Sequence, residues 1–94
     1  MTFIIKSCRD KETAKILAFR PCRKFQAIQE AAEELLVTLN AATSLRDLAL
    51  PSMRLEKLSG DRKGQHSVRI NRQYRICFEW HAGNAFEVEI VDYH

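Results

Sequence analysis

This 94-residue sequence has few of the features that mark secreted, metal-binding or membrane proteins. Its three cysteines, Cys8, Cys22 and Cys77, are an odd number without a CxxC pair, which argues against a disulfide framework and a zinc site. No apolar run approaches the roughly 20 residues of a membrane-spanning helix, and the apolar opening at residues 1–5 is too short for a signal-peptide core. We therefore expect a cytoplasmic protein that does not associate with membranes.

The sequence also lacks the motifs of several enzyme classes. Gly60 and Gly64 flank a basic turn but do not precede a helix, so they do not form a phosphate-binding glycine loop. His66 alternates with apolar residues and His81 falls in a predicted turn, and neither has metal-ligand spacing with the cysteines. No Ser-His-Asp arrangement follows from the spacing. We expect neither a metal nor a cofactor.

What the sequence does contain is a core-forming composition and an uneven distribution of charge. Hydrophobic residues make up 46% of the chain, which predicts one compact domain over residues 1–94. The formal charge is +3, but the basic side chains are concentrated between residues 51 and 75, and the charged side chains from residue 76 onward are all acidic. A basic middle segment suggests a polyanionic partner, although charged residues also simply solvate a surface.

The first half of the chain predicts helices after one short strand at residues 3–5. Asp10 is suited to cap a short helix over residues 13–19. A longer helix is expected from Arg23, because apolar residues recur there at helical spacing. It should end near Asn40, a residue that tolerates the left-handed cap conformation.

The second half changes to the period of two that is typical of strands. Runs of alternating apolar and polar residues are separated by turn sequences, at residues 53–58, 66–70, 74–80 and 86–90. The predicted fold is α+β, with the order β-α-α-β-β-β-β and the helices packed on one face of a small antiparallel sheet. The residues expected to face the helices include Tyr74, Ile76, Phe78, Trp80, Phe86, Val88 and Ile90.

Arginines on the predicted strands are the first candidate site. Alternation directs Arg69 and Arg75 to the sheet face opposite the helices, which we expect to be exposed. Further basic residues lie nearby on the preceding strand and its turn: Arg54, Lys57, Arg62 and Lys63. The planar guanidinium group suits bidentate contact with phosphate. The alternative is that each is a solvated residue paired with a glutamate.

The C-terminal residues Asp92, Tyr93 and His94 are the second candidate site. They offer a carboxylate, a phenol and an imidazole, all of which can transfer protons. Histidine also changes charge near neutral pH. The alternative is that these residues form a frayed end without a function.

Several segments of the sequence resemble the HigB-like plasmid-maintenance killer proteins of the RelE/ParE superfamily. They are RLE at residues 54–56, LSGDRKGQHSVRIN at 58–71, QYRICF at 73–78 and VEIVDYH at 88–94. The resemblance extends upstream over most of the chain, in order and at matching spacing. It implies a RelE/ParE-like fold and the toxin role in a type II toxin–antitoxin pair.

The resemblance also implies an activity and partners. Proteins of this family cleave mRNA, typically on translating ribosomes, and are inactivated by an antitoxin. For this branch the antitoxin is usually a helix-turn-helix (HigA-like) protein. Operator DNA would be bound only by the antitoxin and not by the toxin itself. By the resemblance, Arg75 matches the arginine that contacts the scissile phosphate, and residues 92–94 match a functional C-terminal motif. The residues expected to lie against RNA are Arg54, Lys57, Arg62, Lys63 and Arg69.

The sequence departs from the family pattern at three places. Residues 50–53, LPSM, stand where Pro-Pro-Gly-Asn is common, and Arg72 and Tyr74 stand where an Asp and a Trp are common. Glu56 and Ser59 occupy positions where some members have a histidine and a lysine. This last difference leaves the identity of the general base open.

The resulting hypothesis is an endoribonuclease that uses its own side chains without a metal. Arg75 would stabilise the phosphorane and His94 would act as acid or base. Asp92 and Tyr93 would orient His94 or the RNA, with stacking of Tyr93 on a base as a further role.

Two other functions remain open at this point. A ParE-like toxin would inhibit DNA gyrase by binding, and the match at residues 92–94 disfavours it because a pure binder needs no terminal imidazole. A plain nucleic-acid-binding module is disfavoured because the long helix has an acidic outer face, unlike a recognition helix.

Overall fold

The computed structural model describes residues 3–92, which form a four-stranded antiparallel sheet and two α-helices that share one core. The strands lie side by side in chain order, which confirms the predicted α+β arrangement. The elements are α1 (Lys11–Leu17), α2 (Gln29–Ala41), β1 (Glu56–Lys57), β2 (Gln65–Arg69), β3 (Tyr74–His81) and β4 (Asn84–Asp92). Short 3₁₀ turns occupy Arg23–Ile28, Leu45–Leu48, Pro51–Met53 and Gly60–Arg62. No helix within residues 3–92 is long and apolar enough to cross a membrane.

The extended N-terminal segment covers the outer edge of β4. Ile5 and Cys8 form parallel bridges with Ala85 and Val88, so the predicted short strand reaches further along the chain than residue 5. Just beyond this segment, in the first turn of α1, the buried Thr13 hydroxyl accepts a hydrogen bond from the Ile90 amide at 3.0 Å. Backbone groups that would otherwise be exposed on an edge strand are therefore paired.

Asn40 ties α2 to this N-terminal segment. Its Oδ1 accepts a hydrogen bond from the Ile5 amide at 2.9 Å. The helix ends at Ala41, near Asn40 as predicted, but the cap residue is Ala42, which is extended and not left-handed. A long-range hydrogen bond thus uses the side chain that local preference would assign to a helix end.

The two helices begin differently from one another. Asp10 caps α1 as predicted, since its carboxylate accepts from the Thr13 amide at 3.3 Å. The predicted long helix from Arg23 is instead divided into the 3₁₀ turn Arg23–Ile28 and α2. At the junction the Gln29 side chain bonds the Cys22 amide at 2.9 Å and the Arg20 carbonyl at 2.7 Å. These bonds hold the preceding loop against the start of α2.

The segment before the sheet is less regular than its alternating pattern predicts. The strand expected over residues 53–58 is reduced to Glu56–Lys57. Met53 ends a 3₁₀ turn with a buried side chain, and Arg54 then adopts a left-handed conformation with φ 45° and ψ 53°. Packing of Met53 into the core and the sharp turn at Arg54 replace the first half of the strand.

A bulge in β4 changes which residues face the core. Ala82 and Gly83 form the predicted tight turn, both with positive φ, but Glu87 also has a φ of 53°. The register shifts there, so that Phe86 pairs with Glu79 on the face opposite the core. The prediction that Phe86 faces inward is therefore wrong. Val88 and Ile90 are buried as predicted.

The core lies between the helices and one face of the sheet. Tyr74, Ile76 and Phe78 face the helices as predicted, and the Tyr74 ring meets Phe25 edge-on at 5.8 Å between centroids. Phe78 and Ile76 are fully buried against side chains that include Ile16, Leu36 and Leu39. The alternate residues of the same strands must therefore point to the other face.

Candidate active site

The sheet face opposite the helices carries two adjacent rows of cross-strand partners. One row is Glu56, Ser67, Cys77 and Glu89, and the next is Arg69, Arg75 and Val91. Cross-strand partners point to the same side of a sheet, and the residues between these rows face the core. We call this surface the arginine face and define it by Ser67, Arg69, Arg75, Cys77 and Glu89.

Arg75 lies across this face in a fixed orientation. Its Nε donates to the Ser67 hydroxyl at 2.8 Å, and its Nη2 donates to the Arg54 carbonyl at 2.6 Å. The same Nη2 is 3.8 Å from Oε1 of Glu56. The predicted face is confirmed, but the expected exposure is wrong because Arg75 is only 6% exposed. Its side chain lies over β2 and reaches the residues at the start of β1.

Arg54 contributes its backbone to this arrangement. A positive φ at a residue other than glycine is a strained conformation that costs on the order of 1 kcal/mol. The strained turn aims the Arg54 carbonyl at the guanidinium of Arg75, while the Arg54 side chain remains exposed. Arg54 was predicted as an RNA contact, and the structure shows a contact of its main chain with Arg75.

Arg62 is held at the edge of the arginine face by an ion pair. Its Nη1 donates to Glu89 Oε1 at 2.9 Å and to Gln65 Oε1 at 3.0 Å. Arg9 lies 4.0 Å from the same Glu89 oxygen. Hydrogen bonding to Glu89 raises the pKa of Arg62 above its ordinary value. Glu89 thus partly neutralises two cations on this side of the protein.

The other predicted RNA contacts are spread over both sides of the sheet. Arg69 is the cross-strand partner of Arg75 and donates through Nε to the Asn71 carbonyl at 3.1 Å. Lys63 is exposed in the turn before β2. Lys57 is the partner of His66, on the side of the sheet that also holds Phe78, so the structure does not bring Lys57 together with Arg75.

The C-terminal candidates fall at the end of β4. Asp92 is the partner of Tyr74 and therefore points to the side of the sheet opposite Arg75. Its Oδ2 accepts from the Gln73 side chain at 3.2 Å. Val91, one residue earlier, is the partner of Arg75. Tyr93 and His94 lie outside the described residues.

Two other titratable residues near the strands have little catalytic character. Cys77 is only 1% exposed, and burial raises the pKa of its thiol, so little thiolate forms at neutral pH. His66 stacks on Phe78 on the core side, with 6.1 Å between ring centroids. Burial, aided by the charge of Lys57, lowers the pKa of His66. Among residues 3–92, no group of three His, Cys, Asp or Glu side chains is arranged to hold a metal.

A separate apolar groove lies between α1, α2 and the N-terminal segment. It has a volume of about 1040 Å³ and is lined mainly by aliphatic and aromatic side chains. Three large hydrophobic residues on its walls are more than half exposed: Phe3 at 59%, Phe19 at 63% and Val37 at 52%. Exposed apolar surface of this kind typically marks an interaction site.

Fold and site together define a class of small α+β protein in which an arginine is fixed on the polar face of a four-stranded sheet. The model of the HigB-like toxin family, described as the RelE-like toxin of the type II toxin–antitoxin system HigB, matches residues 11–94. The chain belongs to this family, which confirms the resemblance found in the sequence.

Two curated relatives match part of the chain. Toxin HigB-1 of Vibrio cholerae serotype O1 is 42% identical over 60 residues, which span 63% of this chain and 63% of that protein. Endoribonuclease HigB of Proteus vulgaris is 32% identical over 59 residues, spanning 63% of this chain and 64% of that protein. The chain therefore covers slightly less than two thirds of the length of either relative.

A solved structure supports the fold. The YoeB–YefM complex from Staphylococcus aureus contains a chain that matches with a TM-score of 0.59 and 17% identity, over 96% of this chain and 97% of that one. This likeness confirms the RelE-like fold predicted from the sequence.

The sequence prediction missed three side chains that contact the arginines. Ser67 and Glu56 contact Arg75, and Glu89 contacts Arg62. Alternation in the strands does assign Ser67 and Glu89 to the same side as Arg75, but only the register brings them beside the guanidinium groups.

Proposed function

We propose that this protein is the toxin of a type II toxin–antitoxin pair and an endoribonuclease that cleaves mRNA with its own side chains. The main supporting observation is Arg75, whose guanidinium group is held on the arginine face by two hydrogen bonds and a nearby carboxylate. A cation fixed in advance stabilises charge that develops on a phosphorane without having to reorganise during the reaction. The name of the relative Endoribonuclease HigB supports the same activity.

RNA cleavage of this kind needs three events at one phosphate. The 2′-hydroxyl is deprotonated, negative charge accumulates on the phosphorane, and the 5′-oxygen is protonated as it leaves. Arg75 serves the second event. His94 serves as acid or base, because an imidazole can donate and accept protons near neutral pH. Tyr93 orients His94 or stacks on a base, and Asp92, whose side chain points to the side of the sheet opposite Arg75, orients the C-terminal residues.

Glu56 is the remaining candidate for the general base. Its carboxylate is exposed and lies 3.8 Å from Nη2 of Arg75, so a phosphate bound by Arg75 would lie close to it. It occupies the position where some family members have a histidine. Glu56→Gln keeps the size of the side chain and removes the proton acceptor, so a loss of cleavage in this variant would support that role.

Basic residues around Arg75 provide contacts to the RNA backbone. The exposed side chains of Arg54 and Lys63 and the half-buried Arg62 and Arg69 supply positive charge, and Lys57 adds charge from the opposite side of the sheet. Contacts of this type position RNA and weaken as salt rises, because counterions compete for the phosphates. The substrate is mRNA on the translating ribosome, which places the protein in the cytoplasm.

The antitoxin is the second partner, and its type is expected to be a helix-turn-helix protein that also binds operator DNA. The apolar groove between α1 and α2 is the surface that apolar side chains of such a partner would cover, because Phe3, Phe19 and Val37 are exposed there. Val37→Glu would weaken the complex, whereas Thr38→Glu, an exposed neighbour on α2, serves as the matched control. Equal binding of both variants would contradict a role for the groove.

The decisive experiment expresses wild type, Arg75→Ala and a variant without His94 in bacteria. Growth and the cleavage sites on translated mRNA are measured together, with soluble protein confirmed for each variant. We expect growth arrest with cut mRNA for wild type and neither effect for the variants. Growth arrest with intact mRNA and inhibited gyrase supercoiling would favour the ParE-like alternative. RNA binding without any product would favour a plain binding module.

A further inference from the structure

We propose that Ser67 is a positioning residue for Arg75, with the Arg54 carbonyl as the second anchor of the same guanidinium group. This inference rests on the proposed function, in which Arg75 stabilises the phosphorane. It assigns a task to a serine on β2 that has no proton-transfer role of its own. The supporting contacts are the 2.8 Å bond from Arg75 Nε to Ser67 Oγ and the 2.6 Å bond from Nη2 to the Arg54 carbonyl.

Two bonds from different nitrogens constrain an arginine more than one bond does. The guanidinium group is planar, so a bond at Nε and another at Nη2 fix both its plane and its rotation within that plane. An unanchored arginine side chain has many rotamers, and ordering it during the reaction would oppose catalysis. The guanidinium group of Arg75 is therefore preorganised before the substrate binds.

Ser67 is itself buried within the sheet. It is 0% exposed and lies on β2 between its partners Glu56 on β1 and Cys77 on β3. The Ser67–Cys77 pair lies two residue pairs along the ladder from the Arg69–Arg75 pair, so the Arg75 side chain runs diagonally to reach Ser67. A hydroxyl on the central part of a sheet is a more rigid anchor than an exposed side chain in a loop.

The second anchor is built by backbone strain. Arg54 has a φ of 45°, an unfavourable value for a residue with a Cβ, and its carbonyl accepts from Arg75 across 21 positions of sequence. Both anchors lie on the β1 side of Arg75. The guanidinium group therefore lies over β2 and near Glu56, the carboxylate that we propose as a candidate base.

The test compares Ser67→Ala, which removes the acceptor, with Ser67→Thr, which keeps a hydroxyl at the same position. The first readout is the ¹⁵N NMR signal of the Arg75 Nε–H, assigned by its absence in Arg75→Lys. We expect this signal to shift or broaden in Ser67→Ala and to stay near its wild-type position in Ser67→Thr. An unchanged signal in folded Ser67→Ala would overturn the proposal whether or not the protein cleaves RNA.

The second readout is cleavage of RNA under single-turnover conditions. A displaced guanidinium should lower the rate constant of Ser67→Ala about tenfold to a hundredfold with little change in RNA affinity. Ser67→Thr should recover most of the loss. If Ser67 acts through Arg75, adding Ser67→Ala to Arg75→Ala should cause no further loss, whereas independent effects would multiply. Multiplying effects would overturn the proposal.

The two readouts separate this inference from the proposed function. If the NMR signal of Arg75 depends on Ser67 but wild type cuts no RNA, the positioning contact stands and the ribonuclease function fails. If wild type cuts RNA and Arg75→Ala does not, but Ser67→Ala cleaves at the wild-type rate, the function stands and Ser67 has no positioning role.

Discussion

The two faces of the sheet bury their side chains by different means. On the helix side, Ile76 and Phe78 are buried by van der Waals packing against apolar residues of both helices. On the arginine face, Ser67 and Arg75 are nearly as inaccessible, and they are joined by a hydrogen bond. The helix side therefore provides stability through the hydrophobic effect, which has no preferred direction. The arginine face provides directional hydrogen bonds, which orient the guanidinium group of Arg75.

The largest expected effect is on stability, from removal of an aromatic ring on the helix side. Phe78→Ala should lower the free energy of unfolding by about 3–5 kcal/mol, because Phe78 is fully buried in the core. Urea unfolding followed by circular dichroism measures it. Phe86→Ala is the control, since Phe86 lies on the other face and is only partly buried. An equal loss in both variants would mean that the two faces contribute alike.

The next effect concerns activity, from a change of Arg75 that keeps the positive charge. Arg75→Lys removes the Nε donor and the planar fork, so the ammonium cannot reproduce both bonds of the guanidinium group. We expect RNA cleavage to fall about tenfold to a hundredfold, since misplaced groups lose much of their catalytic effect. Arg46→Lys, at an exposed residue of the Leu45–Leu48 turn, is the control. Wild-type cleavage by Arg75→Lys would show that charge alone suffices.

A third prediction concerns the pH dependence of stability through His66 on the helix side. The folded pKa of His66 is lowered from 6.5, so the unfolded chain takes up the proton first and stability is lost as pH falls below about 6.5. The slope from one such group is at most about 1.4 kcal/mol per pH unit. His66→Phe preserves stacking on Phe78 and also removes Nδ1, which is buried without a partner among the described residues.

Thermal unfolding of wild type and His66→Phe between pH 7.5 and pH 5 measures this effect. Wild type should lose more stability over that interval than His66→Phe. His81→Phe is the comparison, because His81 is exposed at the end of β3. Parallel pH profiles for wild type and His66→Phe would contradict the assignment.

The smallest expected effect is on RNA affinity, from neutralising Glu89 on the arginine face. Glu89→Gln keeps an oxygen that can accept from Arg62 but removes the negative charge beside Arg62 and Arg9. RNA should bind a few-fold more tightly at low salt, and the gain should shrink as salt rises. Glu30→Gln on α2 is the control for net charge alone. An equal gain from both variants would mean that Glu89 acts only through total charge.

Local patterns in the sequence predicted much of this fold. The alternation of Tyr74, Ile76 and Phe78 identified the helix side of β3, and Asp10 was recognised as the cap of α1. These features depend on neighbouring residues, because the period of a strand and the caps of a helix are local properties. The same alternation failed at Phe86, where the bulge at Glu87 shifts the register.

Part of the candidate site was predictable for the same reason. The side of the sheet that Arg75 occupies follows from alternation, and its assignment to a phosphate contact came from the family resemblance. Its anchors could not be predicted, since the partner carbonyl lies on Arg54 and depends on the left-handed turn after Met53. Lys57 points to the side of the sheet opposite Arg75 because it pairs with His66, and this pairing depends on the register of β1 against β2.

The sequence alone determined the α+β class, the basic middle segment and the side of the sheet that carries Arg75. It could do so because composition and the spacing of apolar residues are properties of the sequence itself. The burial of Arg75, its bond to Ser67 and the ion pair between Arg62 and Glu89 arose only when the strands paired. These contacts join residues that are 8 to 27 positions apart. Register and chain reversal set such distances, and no local preference encodes them.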